Sequence, residues 1–349
     1  MATSSERPIL SGAAPGAADI AVGGGLSTGT GEPTAVKARG FWEQAWRRLR
    51  HDRVALVGGV AIIVMILVAF VGTPIANHLL GRTAYSLNTN AQGFEPALPW
   101  SHTPTAAGTC CTLYVLGTSD TAGHDELLGM MAGAQISFEV AILATIFGVA
   151  MGVLLGMIAG FYGGVVDMFV SRATELVMAL PLLLFAIDFS FTAGQRLNTY
   201  TFFGLFSPGV VTLVIVISVF SWFYPCRIIR AQVLSLREKE FVEAARMVGA
   251  SNRRILRSHL LPHLTGTIIV YSTLLVATNI LFEAGLSFLG VGIPQGEPSW
   301  GNLINSAVNY YTTIPWLMVW PGLGILFATL AFNLLGDGLR DALDPRGTY

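Results

Sequence analysis

The feature that most constrains this chain is a series of apolar runs, each about as long as a membrane is thick. A helix needs about 20 predominantly apolar residues to cross a bilayer. Six such runs occur, at 54–71, 136–160, 168–191, 209–228, 265–284 and 314–335. Only 12% of the residues are charged, whereas soluble domains carry about 25%. The sequence therefore predicts an all-α membrane protein with about six transmembrane helices.

The basic residues lie mainly on one side of these spans, and this bias orients them. Loops that stay in the cytosol carry an excess of Lys and Arg near the membrane. Four arginines at 47–53 lie directly before the first span and eight basic residues lie between 227 and 257, whereas the long loop after the first span has one, Arg82. We therefore predict a multi-pass protein with both termini in the cytosol. The formal net charge of −1, with no basic stripe, gives no sign of a nucleic-acid partner.

The composition along the chain indicates five parts. Residues 1–40 are rich in Gly, Ala, Ser, Thr and Pro without apolar periodicity, which predicts a disordered cytosolic tail. Residues 41–73 hold the first span, preceded by tryptophans and arginines that suit a membrane-interface helix or, equally, a plain basic flank. We then expect an external loop at 74–132, a core of five helices at 133–338 and a cytosolic tail at 339–349. Pro181 predicts a kink in the third span.

The cytosolic loop at 237–262 has the pattern of two short helices. Small or apolar residues recur at i, i+3, i+4 and i+7, which predicts one face of a helix about ten residues long. These residues are Phe241, Ala244, Ala245 and Val248. Gly249 follows, where a left-handed residue ends many helices. Ser251 or Asn252 can cap a second short helix, and Pro262 is expected to break or bend the chain before the next span.

This loop resembles the EAA loop of the membrane subunits of binding-protein-dependent ABC importers. Glu243, Ala244 and Ala245 stand at the Glu-Ala-Ala positions, Gly249 at the glycine, and Leu261-Pro262 at the apolar-Pro end. Residues 160–164, 286–292, 298–301 and 330–346 are similar to the dipeptide and oligopeptide permease C-type subunit. One departure precedes the second span, where the family's Gly-Thr-Asp and Gly-Arg-Asp are replaced by residues 117–120 and 123–125. There His124 takes the place of the arginine and one residue is inserted.

The resemblance implies a bacterial inner-membrane permease subunit with the type I ABC importer transmembrane-domain fold and a cytosolic coupling helix. It implies four kinds of partner: a homologous permease subunit, two ATP-binding subunits or domains, an external solute-binding protein and the lipid bilayer. Di- or oligopeptides are the expected cargo, and nickel chelates or another small solute are the alternative. The residues that it assigns to ATPase coupling are Phe241, Glu243, Ala244, Ala245, Val248, Gly249 and Pro262.

The sequence gives no sign of chemistry that the chain could perform alone. A phosphate-binding loop ends in Gly-Lys-Ser/Thr, and neither lysine, Lys37 or Lys239, lies in such a context. We therefore predict that the chain is not an enzyme and binds no cofactor, and that ATP and Mg are held by the partner subunits. His259 and His263 have a zinc-like spacing, but their place beside Pro262 favours no metal site. A self-sufficient secondary transporter remains an alternative, although paired broken helices, typical of that class, are not evident.

Acidic side chains inside spans are candidates for the translocation pathway or for hydrogen bonds within the bundle. An ionised group near a helix centre costs about 2.5–3.5 kcal/mol on insertion scales. The four candidates are Glu139, Glu175, Asp188 and Glu283. Glu175 can pair with Arg172, whereas we expect the other three near the outer ends of their spans, with access to water. Cys110 and Cys111, adjacent in the external loop, are expected to be free or separately paired, and Cys226 to pack in the bundle.

Overall fold

The computed structural model describes residues 41–87, 96–103, 112–197 and 206–343. The helices of the first half are α1 (Phe41–His51), α2 (Arg53–Leu67), α3 (Thr73–Leu80), α4 (Glu126–Tyr162), α5 (Gly164–Ala179), α6 (Leu182–Phe189) and α7 (Gln195–Leu197). Those of the second half are α8 (Val210–Ser221), α9 (Phe223–Leu236), α10 (Glu240–Met247), α11 (Asn252–Arg254), α12 (Leu261–Phe288), α13 (Trp300–Ala307) and α14 (Trp316–Leu343). Two short strands, β1 (Ser101–Thr103) and β2 (Thr112–Tyr114), pair antiparallel between α3 and α4.

Long helices dominate the described part of the chain. Five are long and apolar enough to cross a membrane, and a sixth span results if the bent pair formed by α5 and α6 counts as one. The five are Arg53–Leu80, Glu126–Tyr162, Val210–Leu236, Asn252–Phe288 and Trp316–Leu343. The predicted class, an all-α membrane protein with about six spans, is confirmed.

Several helices extend beyond the apolar runs that predict them. The first span continues to Leu80 and ends at Gly81, whose φ of 64° is left-handed. Helix α4 begins at Glu126, because the side chain of Asp125 caps it by accepting a hydrogen bond from the Leu128 N–H at 3.2 Å. The loop predicted at 74–132 is therefore shorter, and it starts and ends at these polar or glycine caps. At the other end, α14 runs to Leu343, into the predicted tail.

The third span is bent, as Pro181 predicts. Helices α5 and α6 meet at an angle of 83° across Leu180 and Pro181. Proline has no N–H to donate and disfavours a helical residue before it, and Leu180 accordingly has extended backbone angles. The apolar run at 168–191 thus forms two helices rather than one straight span.

A row of glycines lets α4 and α9 approach closely. Gly148, Gly152, Gly156 and Gly160 recur every four residues on one side of α4. A Cβ added at Gly152 would lie 2.5 Å from the carbonyl oxygen of Trp222, and one at Gly156 would lie 2.6 Å from that of Cys226. Small residues at such spacing are a common basis of helix packing in membranes. This row therefore fixes the position of α9, which leads into the 237–262 loop.

Candidate functional site

Helix α10 is fastened to the ends of three long helices on one side of the bundle. Val242 is fully buried in a cluster to which α4, α9 and α12 all contribute. The ring of Phe241 stacks on the imidazole of His263, with 5.0 Å between centroids and 11° between planes. The guanidinium of Arg246 lies 5.6 Å from the ring centroid of Phe161 at the end of α4, within cation–π range. A force applied to α10 therefore acts on the bundle directly.

The opposite side of α10 is open and carries an unusual apolar tip. The exposed residues on this side are Glu240, Glu243, Ala244, Met247 and Val248. They recur at i, i+3, i+4, i+7 and i+8 and so share one face of the helix. Met247 is 83% exposed and Val248 89% exposed. We call this set the coupling face.

The coupling face differs from the face that the sequence predicts. Phe241 and Ala245 turn towards the bundle, whereas Ala244 and Val248 point away from it. The predicted face therefore lies partly against the bundle and partly in the open, so its four residues do not form one exposed surface. The reason is Val242, which takes the most buried position and rotates the helix so that Ala244 faces outward.

The turn after α10 agrees with the prediction for Gly249. Its φ is +84°, in the left-handed region that glycine adopts without a Cβ penalty. The Gly249 N–H donates to the Arg246 carbonyl and the Ala250 N–H donates to the Ala245 carbonyl, each at 2.9 Å. This pair of bonds is the Schellman motif. Ser251 then occupies the cap position of α11 with an extended backbone, although its side chain makes no capping bond.

The structure shows no break at Pro262, although a break is one of the two outcomes expected there. The chain stays helical from Asn252 to Phe288, and Pro262 is the second residue of α12. A π-helical segment, Ile255–Leu260, comes immediately before it. Its wider turns accommodate the proline ring, which clashes with the carbonyl four residues earlier in a regular α-helix. The second helix of the loop is consequently the beginning of the long helix that ends at Phe288 and not a separate short element.

Glu283 is a hydrogen-bond acceptor inside the bundle. Its side chain is fully buried, so the expected access to water is wrong. Oε2 accepts a hydrogen bond from Ser137 Oγ of α4 at 2.6 Å, and Oε1 accepts one from Ser287 Oγ at 2.8 Å. Ser287 Oγ in turn accepts a bond from the Ile293 N–H at 3.2 Å. This carboxyl group thereby joins α12 to α4 and to the turn that follows α12.

The other three acids occupy separate places. Glu139 is half-buried and its Oε1 accepts a hydrogen bond from Gln135 Nε2 at 3.1 Å. Glu175 is exposed and pairs with Arg172 at 2.7 Å, as the spacing predicts. Asp188 is exposed on α6. Among the described residues, no hydrogen bond or ion pair joins any of the four acids to another.

Sequence reasoning that considers only charged residues misses a second buried polar contact, which Asn279 makes. Asn279 on α12 is fully buried; its Nδ2 donates to Thr145 Oγ1 of α4 at 2.9 Å. Its Oδ1 accepts a hydrogen bond from Ser221 Oγ of α8 at 3.0 Å. The signal in the sequence is a single asparagine within an apolar run, where an unpaired amide would be costly.

The connection between α3 and α4 contains the departure from the family pattern. His124 Nδ1 lies 2.6 Å from Asp120 Oδ2, and this hydrogen bond raises the pKa of His124 above its usual value. Burial alone would raise the pKa of Asp120, but hydrogen bonds from the side chain and backbone of His124 lower it below its usual value. Arg82 pairs with Asp125 and lies over the Tyr114 ring, 4.4 Å from its centroid.

Of the three cysteines, Cys226 is buried and packs as expected. Cys110 and Cys111 lie outside the described residues, as do the 1–40 segment and the chain after Leu343. His259 and His263 are brought into one helical stretch, where His263 Nδ1 contacts the His259 carbonyl at 2.7 Å.

Comparison with known proteins gives matches to two family models, to curated relatives and to a solved structure. Residues 152–348 match the family described as "Binding-protein-dependent transport system inner membrane component", and residues 40–92 match the "N-terminal TM domain of oligopeptide transport permease C". The chain is 36% identical to the oligopeptide transport system permease protein OppC of Escherichia coli strain K12, across 90% of this chain and 94% of that protein. It is 33% identical to the glutathione transport system permease protein GsiD of Escherichia coli O6:H1, across 87% and 90%. A solved structure of the MetNI methionine ABC transporter aligns with 62% of this chain and 97% of its own, at 16% identity and a TM-score of 0.49.

Proposed function

Because this chain belongs to the family of inner membrane components of binding-protein-dependent transport systems, we propose that it forms half of a peptide translocation pathway. In this proposal it is the permease subunit of an ABC importer that moves di- or oligopeptides. Relatives named for oligopeptide and glutathione transport support peptides as the cargo. They do not favour nickel chelates, and they do not favour a self-sufficient secondary transporter.

The observation that carries this proposal is the coupling face of α10. Met247 and Val248 are apolar and almost fully exposed, beside the carboxylates of Glu240 and Glu243. An exposed apolar tip with a charged rim is typical of a surface that enters a groove on another protein. The basic residues of this loop favour a cytosolic location, where an ATP-hydrolysing subunit would meet it.

The remaining components of the importer follow from this role. A homologous permease subunit would complete the pathway, two ATP-binding subunits would hold ATP and Mg, and an external binding protein would deliver the peptide. This chain would bind no cofactor of its own and would have both termini in the cytosol. Phe241, Ala245 and Pro262 would anchor the coupling segment, whereas Glu243, Ala244 and Val248 would contact the ATPase and Gly249 would set the turn.

The test is a charge placed on the apolar tip. The complete importer, with its binding protein, is reconstituted in liposomes with Met247→Asp or Val248→Asp, and peptide-stimulated ATP hydrolysis and uptake are measured. We expect both activities to fall at least tenfold, with normal membrane insertion, because a desolvated carboxylate in an apolar groove is costly. Asn252→Asp, an exposed change at the start of α11, is the matched control and should keep both activities. Normal uptake by the two tip variants would refute the proposal.

A further inference from the structure

Helices α5 and α9 form a charged wall on one side of the bundle. A cavity of about 130 Å³ lies between them, lined by Ser171, Thr174, Glu175, Arg227 and Arg230 together with apolar residues. Gly156 of α4 packs against Cys226 and Ile229, so Arg227 lies level with the apolar residues around Gly156. Arg172 and Glu175 lie within the apolar run at 168–191 and Arg227 near the end of the run at 209–228, so the charged wall lies at the end of the spans that the sequence predicts to be cytosolic.

We do not expect this charged wall to be in contact with lipid. Charged side chains within the membrane face the bundle interior or a water-filled cavity, because hydrocarbon does not solvate them. The contrast is α2, whose most exposed side chains are apolar, among them Val57 at 65%, Ile63 at 59% and Leu67 at 52%. Helix α2 thus has the surface expected against lipid, and the α5–α9 wall does not.

The break between α5 and α6 leads to the same conclusion. Leu180 and Pro181 are exposed and interrupt the helix. Non-helical backbone at membrane depth is tolerated where it is buried in protein or lines a water-filled cavity, but not against lipid. Two independent features, the charges and the break, therefore indicate that this side of the bundle faces water or protein.

The cations of the wall are not equivalent. Arg230 Nη2 donates to Asp167 Oδ2 at 2.7 Å, and Arg172 Nη1 donates to Glu175 Oε2 at 2.7 Å. Within the described ranges, no carboxylate pairs with Arg227. Its Nη2 lies 3.5 Å from Met178 Sδ, and sulfur is a weak acceptor. The guanidinium of Arg227 is exposed and has capacity for a further partner.

We propose that Arg227 is an anion subsite of the translocation pathway, which receives a carboxylate of the peptide on its way to the cytosol. Guanidinium groups bind carboxylates with two parallel hydrogen bonds, and every peptide with a free C-terminus carries this group. Exposure to water keeps the interaction weak, which allows release. The inference rests on the proposed function and identifies the part of the substrate that this chain contacts.

The experiment compares two forms of one peptide. The complete importer is reconstituted with its binding protein, and uptake of a peptide with a free C-terminal carboxylate is divided by uptake of its C-terminal amide. Because the binding protein is the same throughout, its own selectivity cancels when this ratio is compared between variants. The variants are Arg227→Gln, Arg227→Lys and the control Arg50→Gln, an exposed arginine of α1.

We expect Arg227→Gln to lower the ratio about fivefold at most, as for loss of one solvent-exposed ion pair. Arg227→Lys should keep most of the ratio and Arg50→Gln all of it. An unchanged ratio in Arg227→Gln would overturn the proposal, while uptake by the unmodified importer would leave the proposed function standing.

Two further outcomes would also overturn the proposal that Arg227 binds the peptide. One is an equal loss for both peptides that appears only in vesicles with phosphatidylglycerol, which would assign Arg227 to a lipid phosphate. The other is loss of the second permease subunit on purification, which would assign it to the subunit interface.

Discussion

The turn after α10 offers a sharp test of why glycine stands at position 249. Two explanations make different predictions. In the first, Gly249 is needed because its φ of +84° is unfavourable for residues with a Cβ. In the second, Gly249 is needed because a side chain there would obstruct the docked ATPase. Substitutions that change conformational preference and size separately distinguish them.

The structure gives the magnitude for the first explanation. A Cβ at Gly249 would meet nothing within 4 Å, so alanine adds backbone strain and no clash within this chain. The left-handed conformation costs an ordinary L-residue roughly 1–2 kcal/mol. Asparagine adopts it more easily, and its cost is smaller. Proline fixes φ near −65° and removes the N–H that donates to Arg246, so its cost should exceed about 3 kcal/mol.

The assay is peptide-stimulated ATP hydrolysis and uptake by the reconstituted importer. If strain decides the outcome, activity should decrease in the order Gly, Asn, Ala, Pro. If coupling also requires the strained turn, Gly249→Ala should lower activity by a factor of about five to thirty at most. Gly322→Ala is the control, because that glycine lies in α14 with no positive φ and no atom within 4 Å of an added Cβ. Equal loss with Asn and Ala, or greater loss with Asn, would refute the conformational explanation and favour obstruction.

Two further predictions concern packing and pH. Gly152→Ala should destabilise the protein by about 1–3 kcal/mol because of overpacking against α9. Thermal unfolding in detergent measures this loss of stability. Gly59→Ala, whose Cβ would lie 3.6 Å from the nearest atom, is the control and should be neutral. The ion pair of His124 with Asp120 should stabilise the external turn fully below the unfolded pKa of His124, 6.5, and this contribution should disappear as pH rises through its raised folded pKa. Hydrogen exchange of this turn, corrected for the intrinsic rate, should show the change, and His124→Gln should abolish it. Protection that increases with pH would contradict the assignment.

The parts of the structure that are local in sequence were predictable. Hydropathy places the spans because each helix satisfies its own backbone in the bilayer. Gly249 predicts the left-handed turn, Pro181 predicts the bend, and the spacing of Arg172 and Glu175 predicts their ion pair. In each case neighbouring residues alone determine the outcome.

The parts that depend on distant contacts were not predictable in this way. The rotation of α10 depends on where Val242 meets the bundle, and the burial of Glu283 depends on Ser137, which is 146 residues away. Helix ends extend past the apolar runs because polar caps such as Asp125 continue to stabilise them. The glycine row of α4 is different, since its four-residue spacing is visible in the sequence and is a known packing signal.

These contacts divide the bundle into a tightly joined part and a loosely joined part. Helix α4 is interlocked with α9 through its glycines, and it is bonded to α12 through Glu283 and Asn279. Buried hydrogen bonds are costly to break because the separated groups find no water, so α4, α9 and α12 should move together. Helix α12 also continues the segment that begins at Asn252, beside the coupling face, and runs to Phe288. Helices α5 and α6 bury few residues and are broken at Pro181, so we expect the pathway to open and close mainly by movement of this bent span against the rest.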